Sequence, residues 1–241
     1  MKSRLSISVF FPCYNDAGSI GLLVNDAYKT LKEITEDFEI IVVDDGSKDE
    51  SREILKRLDE QIKQLRLVFH ARNTGYGGAL KSGFKNASKE LVIYTDGDGQ
   101  YDIKELTKLL AKLADDIDVV QGYKIKRSDP LYRIFIGRSY HWFSKILFNL
   151  KVRDVDCDFR LIRKSALESI SLEYNSGVIC VELVKKLQDK GYRFAEVAVN
   201  HFPRLYGHSQ FFNYKRIIKT LLELLALWFN LVLLRGKNDN T

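Results

Sequence analysis

The chain has 241 residues with a formal net charge of +6, and its 45% hydrophobic content with only three prolines excludes a disordered or collagen-like polypeptide. At roughly 150 residues per domain this length predicts one compact domain with a C-terminal appendage and a sizeable core. The charge is uneven: residues 1–120 carry 17 basic against 21 acidic side chains, net −4, and residues 121–241 carry 21 against 11, net +10, so the second half is expected to meet an anionic partner such as nucleic acid, phosphate groups or a lipid surface.

Leu5–Phe11 is apolar but stops at Pro12, too short for a signal sequence with a cleavage site, so no secretion is expected. Strands are predicted over Ser6–Phe11, Glu39–Val43, Arg66–Phe69, Leu91–Thr95 and Asp118–Gln121. Helices are predicted over Ile20–Ile34, Asp49–Gln64, Gly78–Ala87 and Ile103–Leu113, where apolar residues recur at three-to-four spacing. Apolar strands separated by helices predict an α/β fold with a mostly parallel sheet. Ligands of such sheets sit beyond the carboxyl ends of the strands. Further on, Leu131–Leu150 reads as an amphipathic helix with a basic fringe and Arg153–Arg163 as irregular. Ser176–Lys190 reads as helix, Tyr192–Val199 as strand and Phe211–Arg235 as a long apolar helix. Cys13, Cys157 and Cys180 lie too far apart for a zinc motif, and their odd number predicts reduced thiols in a cytosolic setting.

Three polar clusters close predicted strands: Pro12-Cys13-Tyr14-Asn15-Asp16, Asp44-Asp45-Gly46-Ser47 and Asp96-Gly97-Asp98-Gly99-Gln100. Any one of them could be a turn with a helix cap. Three at one sheet edge concentrate carboxylates that repel unless a cation or hydrogen-bond donors lie between them. Asp98 and Gln100, with Asp96 beside them, offer carboxylate and amide oxygens of the kind that hold Mg²⁺ or Mn²⁺ together with a diphosphate. Such a cation would neutralise a departing diphosphate. Asn73-Thr74-Gly75-Tyr76-Gly77-Gly78-Ala79 has neither the position of a dinucleotide fingerprint nor the Gly-Lys-Ser/Thr ending of a P-loop. It reads as close backbone packing near the site, with a diphosphate contact as the alternative.

The segment Ile217–Leu234 has 18 residues, about 27 Å as a helix, marginal for a bilayer span of about 20 apolar residues. Glu223 within it argues further against spanning. A helix lying on the membrane surface or capping an acceptor groove is expected. A packing or dimerisation helix is the plainer alternative. Tyr132, Phe135, Tyr140, Trp142, Phe143 and Phe148 among Arg133, Arg138 and Lys145 suit a lipid headgroup boundary. No RNA-binding motif accompanies them, so no nucleic-acid partner is expected.

Taken in order, Phe11-Pro12-Cys13-Tyr14-Asn15-Asp16, Ile41-Val42-Val43-Asp44-Asp45-Gly46-Ser47, Asn73-Thr74-Gly75-Tyr76-Gly77, Asp96-Gly97-Asp98-Gly99-Gln100, Asp158-Phe159-Arg160-Leu161 and Pro203-Arg204-Leu205-Tyr206-Gly207-His208-Ser209-Gln210 resemble glycosyltransferase family 2. That family has the GT-A fold, and the chain is most similar to its polyprenyl-phosphate branch, typified by dolichyl-phosphate mannose synthases. The resemblance implies a glycosyltransferase domain over residues 1–210, with residues 1–121 binding a GDP- or UDP-linked sugar and 122–210 forming the acceptor half. Residues 211–241 form the appended amphipathic helix and tail. Pro12, Tyr14 and Asp16 would lie along the nucleotide, Val42, Asp44 and Asp45 at base and ribose, and Asp96 and Gly97 on the sugar side. Asp98 and Gln100 would hold the metal, Lys124, Arg204 and Gln210 would complete the nucleotide-sugar site, and Arg138, Arg160 and Ser209 would bind the acceptor. The chain departs from the branch at Asp16 (usually Glu), Gly97 (Ala), Lys124 (Arg), Gln210 (Lys) and Cys157-Asp158 (Ser-Gly).

The implied reaction is a metal-dependent inverting transfer of a hexose to a polyprenyl phosphate at the cytoplasmic membrane face, by a peripheral enzyme. Asp98, Arg204 and Glu182 are its expected catalytic residues. A lipid phosphate is already anionic and needs no strong base. A saccharide hydroxyl acceptor, the alternative within the family, would need a carboxylate base, for which Glu182 and Asp158 are the candidates. For Glu182 the plainer reading is an ion pair on a helix. A nucleotidyltransferase or a non-catalytic membrane-docking module are the more distant alternatives.

Overall fold

A strand that is apolar on both faces must be covered on both sides, and that requirement shapes this molecule. The computed structural model describes residues 5–125, 131–204, 206 and 214–234, with the side chains of 131–138 and 214–217 outside that description. The elements run β1 (Ile7–Cys13), α1 (Ile20–Ile34), β2 (Phe38–Asp44), α2 (Ser51–Asp59), β3 (Leu65–Phe69), α3 (Tyr76–Asn86), β4 (Leu91–Tyr94) and a 3₁₀ turn (Ile103–Glu105) leading into α4 (Leu106–Leu110). They continue with β5 (Val119–Lys124), α5 (Leu131–Phe148), β6 (Arg160–Arg163), α6 (Lys164–Glu168), α7 (Ile179–Asp189), β7 (Phe194–Val199) and α8 (Tyr214–Trp228), which ends in a π-helical turn (Phe229–Leu234).

The strands form one sheet in the order β3-β2-β1-β4-β6-β5-β7. β3, β2, β1 and β4 are mutually parallel, β5 and β7 are parallel to each other, and β6 runs antiparallel to both β4 and β5. One face is sealed by α1, whose Ile20, Leu23, Val24, Ala27 and Leu31 pack with Val9, Phe11, Ile40 and Val42. The opposite face carries Phe10, Ile41, Val43 and Tyr94 against Leu80 of α3 and Ile179, Leu183 and Leu187 of α7. A third cluster joins Phe148 of α5, Val181 and Val184 of α7, and Leu224 and Leu227 of α8.

The parallel sheet and the helices around it follow the sequence expectation. β6 does not: the segment read as irregular ends in a central strand. Its disguise is Arg160, a charged residue that is completely buried. The burial is tolerable because its guanidinium donates to Gln121 Oε1, to the Tyr94 hydroxyl at 2.6 Å and to Val155 O at 3.2 Å. Arg160 was expected at the acceptor; here it is a core residue with no exposed surface. Val42, expected at the nucleotide, is a fully buried core position of β2.

At the C-terminus, α8 buries Leu224 and Leu227 while Leu222, Leu225 and Phe229 stay exposed. The helix therefore packs on the domain and keeps an apolar face outward. Among the described residues no helix is long and apolar enough to cross a membrane.

Gly83 of α3 gives a test of how tightly the helix layer sits. A Cβ there would lie 2.3 Å from ring carbons of Phe10. Replacing a helical glycine by alanine ordinarily gains about 1 kcal/mol, but overpacking costs about 1–3 kcal/mol or more. Gly83→Ala is therefore expected to lower the urea midpoint, and a raised midpoint would contradict this packing.

Candidate active site

The carboxyl ends of β1, β2 and β4 lie side by side, because Cys13 is in register with Asp44 and Phe10 with Tyr94. The three polar clusters are thereby gathered at one edge. Gly97 lets two of them touch: a Cβ at this position would lie 2.5 Å from Pro12 O, and its own carbonyl accepts from Ser19 Oγ at 2.7 Å. Pro12 is buried at the end of β1, and the Tyr14 N–H donates to Asp16 Oδ2 at 3.0 Å.

The two aspartates after β2 have different surroundings. Asp44 is fully buried; its Oδ1 accepts from Arg52 Nε at 2.6 Å and Ser47 N at 3.2 Å. Its Oδ2 is buried with no hydrogen-bond partner among the described residues, which suits a ligand donor. Asp45 is already occupied: Oδ1 lies 2.7 Å from His70 Nδ1 and accepts from Thr74 N and Oγ1, while Oδ2 accepts from Gly75 N at 2.9 Å. Its observed work is to pin the glycine-rich loop. That loop is packed backbone to backbone as the sequence suggested, since a Cβ at Gly77 would lie 2.4 Å from Tyr174 O.

Asp98 is nearly buried; Oδ1 accepts from Gln100 N at 3.0 Å, and Oδ2 pairs with Arg204 Nη2. Gln100 also joins the two halves, donating from Nε2 to Phe202 O at 3.1 Å and accepting Phe202 N at 2.8 Å. The amide oxygen of Gln100 is left as the atom able to serve a cation. Asp96 accepts from the Tyr76 hydroxyl at 2.8 Å. Burial first, then the charges of Asp158 and Asp98, push the Asp96 carboxyl well above the usual range. Asp16 is pushed up to about 6 by burial and by Asp98, against the Tyr14 N–H. The edge thus carries more carboxylate than its own cations balance, and its oxygen donors suit a hard divalent ion.

Lys124, at the end of β5, donates from Nζ to Asp156 O at 2.5 Å and lies 3.7 Å from Asp154 Oδ2. His141, Asp154 and Asp156 also offer ligand atoms within 4.8 Å of one another, but the ammonium of Lys124 already supplies positive charge at that point. Lys124 still acts electrostatically on Asp158. Ser209 and Gln210 lie outside the described residues, as does the side chain of Arg138.

Glu182, expected as a candidate base, is held in the scaffold. It is fully buried on α7, accepts from the backbone N–H groups of Glu173 and Tyr174 at 3.0 and 3.1 Å, and pairs with Lys186 at 2.7 Å. The segment it holds is the one against which Gly75 and Gly77 pack, so its effect on the site is indirect. Sequence reasoning missed Arg52 and His70, and it noted Tyr76 only as part of the glycine-rich stretch; their partners lie 8, 25 and 20 residues away.

A family model described as glycosyl transferase family 2 matches residues 8–171. The undecaprenyl-phosphate 4-deoxy-4-formamido-L-arabinose transferase of Yersinia enterocolitica is 27% identical over 227 residues, covering 94% of this chain and 66% of that protein. The protein of the same name from Photorhabdus laumondii is 27% identical over 221 residues, covering 91% and 67%. The chain thus spans about two thirds of the length of these relatives. Glucosyl-3-phosphoglycerate synthase from Mycobacterium tuberculosis, solved with Mn²⁺, UDP and phosphoglyceric acid, superposes with a TM-score of 0.71 at 16% identity, covering 94% of this chain and 78% of that one. The same enzyme with Mn²⁺ and UDP-glucose gives 0.70 at 18% identity, covering 92% and 79%. The shared fold is the GT-A fold.

Two predictions follow from these environments. Because the folded-state pKa of Asp16 lies above its ordinary value, the stability linked to its proton is complete below about pH 4 and is lost as pH rises through about 6. Asp16→Asn keeps an acceptor for the Tyr14 N–H without ever charging. Without added divalent ion it should be more stable than the parent, with the gap in urea midpoint opening between pH 4 and 6; a constant gap would refute the assignment. Glu182→Ala should cost about 3 kcal/mol, the low end for breaking a buried ion pair, because Lys186 keeps Ser171 O and Glu173. A Glu182→Ala protein of unchanged stability but no activity would return Glu182 to the list of bases.

Proposed function

The chain belongs to glycosyl transferase family 2, and from that premise we propose that it is a metal-dependent, inverting glycosyltransferase that moves a sugar from a nucleoside-diphosphate donor to a polyprenyl phosphate. The observation that carries this reading is the acidic edge itself, in which Asp98 and Gln100 stand beside Asp16 and Asp96 and, among the described residues, Arg204 pairs with Asp98. Asp98 and Gln100 would hold Mg²⁺ or Mn²⁺, which supplies neutralising charge to a leaving diphosphate when bound. The buried, unpartnered Oδ2 of Asp44 would accept from the nucleoside. Arg204, at the junction of the two halves, would exchange its bond to Asp98 for the phosphates.

The acceptor assignment is supported by the curated relatives, named for undecaprenyl phosphate, and by chemistry. A phosphate monoester is an anionic nucleophile, so attack on the anomeric carbon opposite the leaving group needs no strong base. With Glu182 committed to the fold, that is the economical reading. The lipid would be met at a membrane surface, where the protein would dock peripherally on the cytoplasmic side. Trp142, Phe143 and Ile146 of α5 are exposed, as are Leu222 and Leu225 of α8, and the two helices are in contact. Aromatic and aliphatic residues beside Lys145 and Lys219 suit a headgroup boundary. The donor is proposed as a GDP- or UDP-linked hexose; the names of the relatives carry a modified L-arabinose, so a pentose donor belongs in the same test.

The test is nucleoside diphosphate release by the purified chain with Mn²⁺ or Mg²⁺, offered GDP-mannose, UDP-glucose, UDP-N-acetylglucosamine and UDP-xylose with and without a short polyprenyl phosphate. Release that requires one donor, the ion and the lipid is expected, and Asp98→Ala should reduce it by at least about 100-fold. Undiminished turnover in Asp98→Ala would refute the metal site. Release without lipid, on a saccharide acceptor, would move the acceptor to a hydroxyl.

A further inference from the structure

Four residues of α3, Gly78, Lys81, Ser82 and Lys85, recur at the three-to-four spacing that sets them on one helix face. Ala79, Leu80 and Gly83, on the other side, are buried against the sheet. With His70 and Thr74 from the loop after β3 and Asn175 from the segment before α7, the first face lines an open cavity of about 290 Å³. That volume is at the lower end for small-ligand sites. Gly78 makes the helix backbone part of the wall: a Cβ there would lie 2.4 Å from Thr74 Oγ1 and 3.8 Å from Asn175 Oδ1.

The wall is rich in donors and, among the described residues, holds no carboxylate. Lys81 Nζ donates to Glu173 O at 2.9 Å, whereas the Glu173 carboxylate is drawn to Lys186 at 3.3 Å. A carbonyl orients the Lys81 ammonium without cancelling its charge. Lys85, one turn on, is exposed. Like charges at this spacing repel, and α3 contains no acidic residue to offset them. The first turn of α3, which includes Gly78, adds the positive end of the helix dipole. Ser82 Oγ lies 2.8 Å from His70 Nε2, and His70 Nδ1 lies 2.7 Å from Asp45 Oδ1, so these polar groups are already oriented. The basic lining is local, since residues 1–120 as a whole carry net −4. Two ammonium groups with a hydroxyl and an imidazole around one cavity match the charge and acceptor oxygens of a phosphate group.

We propose that this cavity is a phosphate-binding site on the flank of α3, separate from the acidic edge, in which Lys81 and Lys85 hold a phosphate group with Ser82 and His70 behind it. A free phosphate and a lipid headgroup present the same chemistry. The small soluble ion is the expected occupant, because the lining contains no apolar side chain to receive an acyl chain. The site stands independently of the function proposed for the acidic edge. It backs onto that edge through His70 and Asp45, whose Oδ2 accepts from Gly75 N at 2.9 Å, so an occupant would steady the glycine-rich loop.

The experiment is calorimetric titration of the full chain with inorganic phosphate, at constant ionic strength and without divalent ions. The parent is compared with Lys85→Glu and Lys81→Gln, and with Lys112→Glu, which alters an exposed lysine outside the cavity. Lys85 is exposed and Lys81→Gln keeps a donor for Glu173 O, so both cavity variants should fold. Saturable binding by the parent is expected, weakened about 10-fold or more in both cavity variants, the scale of one charged hydrogen bond, and unchanged in Lys112→Glu. Phosphatidic acid in phosphatidylcholine vesicles is the second arm. Vesicle capture that Lys85→Glu abolishes, without binding of the free ion, would keep the phosphate site and assign it to a lipid headgroup. Absence of binding in both arms would overturn the proposal. So would affinity that ignores the cavity variants or falls equally in Lys112→Glu. Repeating the titration with UDP and Mg²⁺ tests the separation from the acidic edge: competitive displacement of phosphate by UDP would overturn a separate site. A chain that binds phosphate but no UDP would instead count against the nucleotide-sugar reading and leave this site standing.

Discussion

The structure depends on how one sheet edge tolerates its own negative charge. Asp44 is offset by Arg52, Asp45 by His70 and the donors of Thr74 and Gly75, and Asp98 by Arg204. Asp16 and Asp96 form no ion pair of their own among the described residues; Arg204 acts on both, but burial and the neighbouring carboxylates outweigh it and drive both toward the protonated form. The imbalance is local: the aspartates after β2 are compensated within the fold, while those facing Asp98 are not. Under the proposed function, a divalent ion would supply what is missing there. This is why the same residues that strain the empty protein are the ones a ligand would use.

Around that edge, several charged residues are structural. Glu182 binds the backbone of Glu173 and Tyr174, that segment packs against Gly75 and Gly77, and the loop between them and β3 is pinned by Asp45. A buried glutamate on α7 is thus connected to the site through backbone contacts, without facing it. Arg160 similarly locks β6 between β4 and β5 by bonding to a side chain on each neighbour. Buried charges of this type are stable only with a full set of partners, and each has one.

The second half joins the first through the β4–β6 pair and the shared core, and it also reaches the site itself. Phe202 exchanges hydrogen bonds with Gln100, Arg204 pairs with Asp98, and the Tyr206 ring occupies the space over Gly18. Away from the site, α5 and α8 bury one side on α7 and turn apolar residues outward. A helix with two apolar faces is expected where a domain both packs and docks.

The alternation of apolar strands and amphipathic helices was legible in the sequence, because burial on both sheet faces and on one helix stripe leaves periodic patterns within each segment. So were the polar clusters at Pro12–Asp16, Asp44–Ser47 and Asp96–Gln100, since a parallel sheet aligns the carboxyl ends of its strands. Their order also sufficed for the family. β6 was not legible: it is four residues long, begins with a buried arginine, and its pairing is with segments 66 and 39 residues earlier in the chain. The burial of Val42, Arg160 and Glu182 was not legible for the same reason, because a residue type and its position do not say whether the fold will surround it. Sequence determined which side chains were available at the edge. Tertiary structure decided which of them were consumed by the fold and which were left facing a ligand, because hydrogen-bond partners and burial come from segments that only folding brings together.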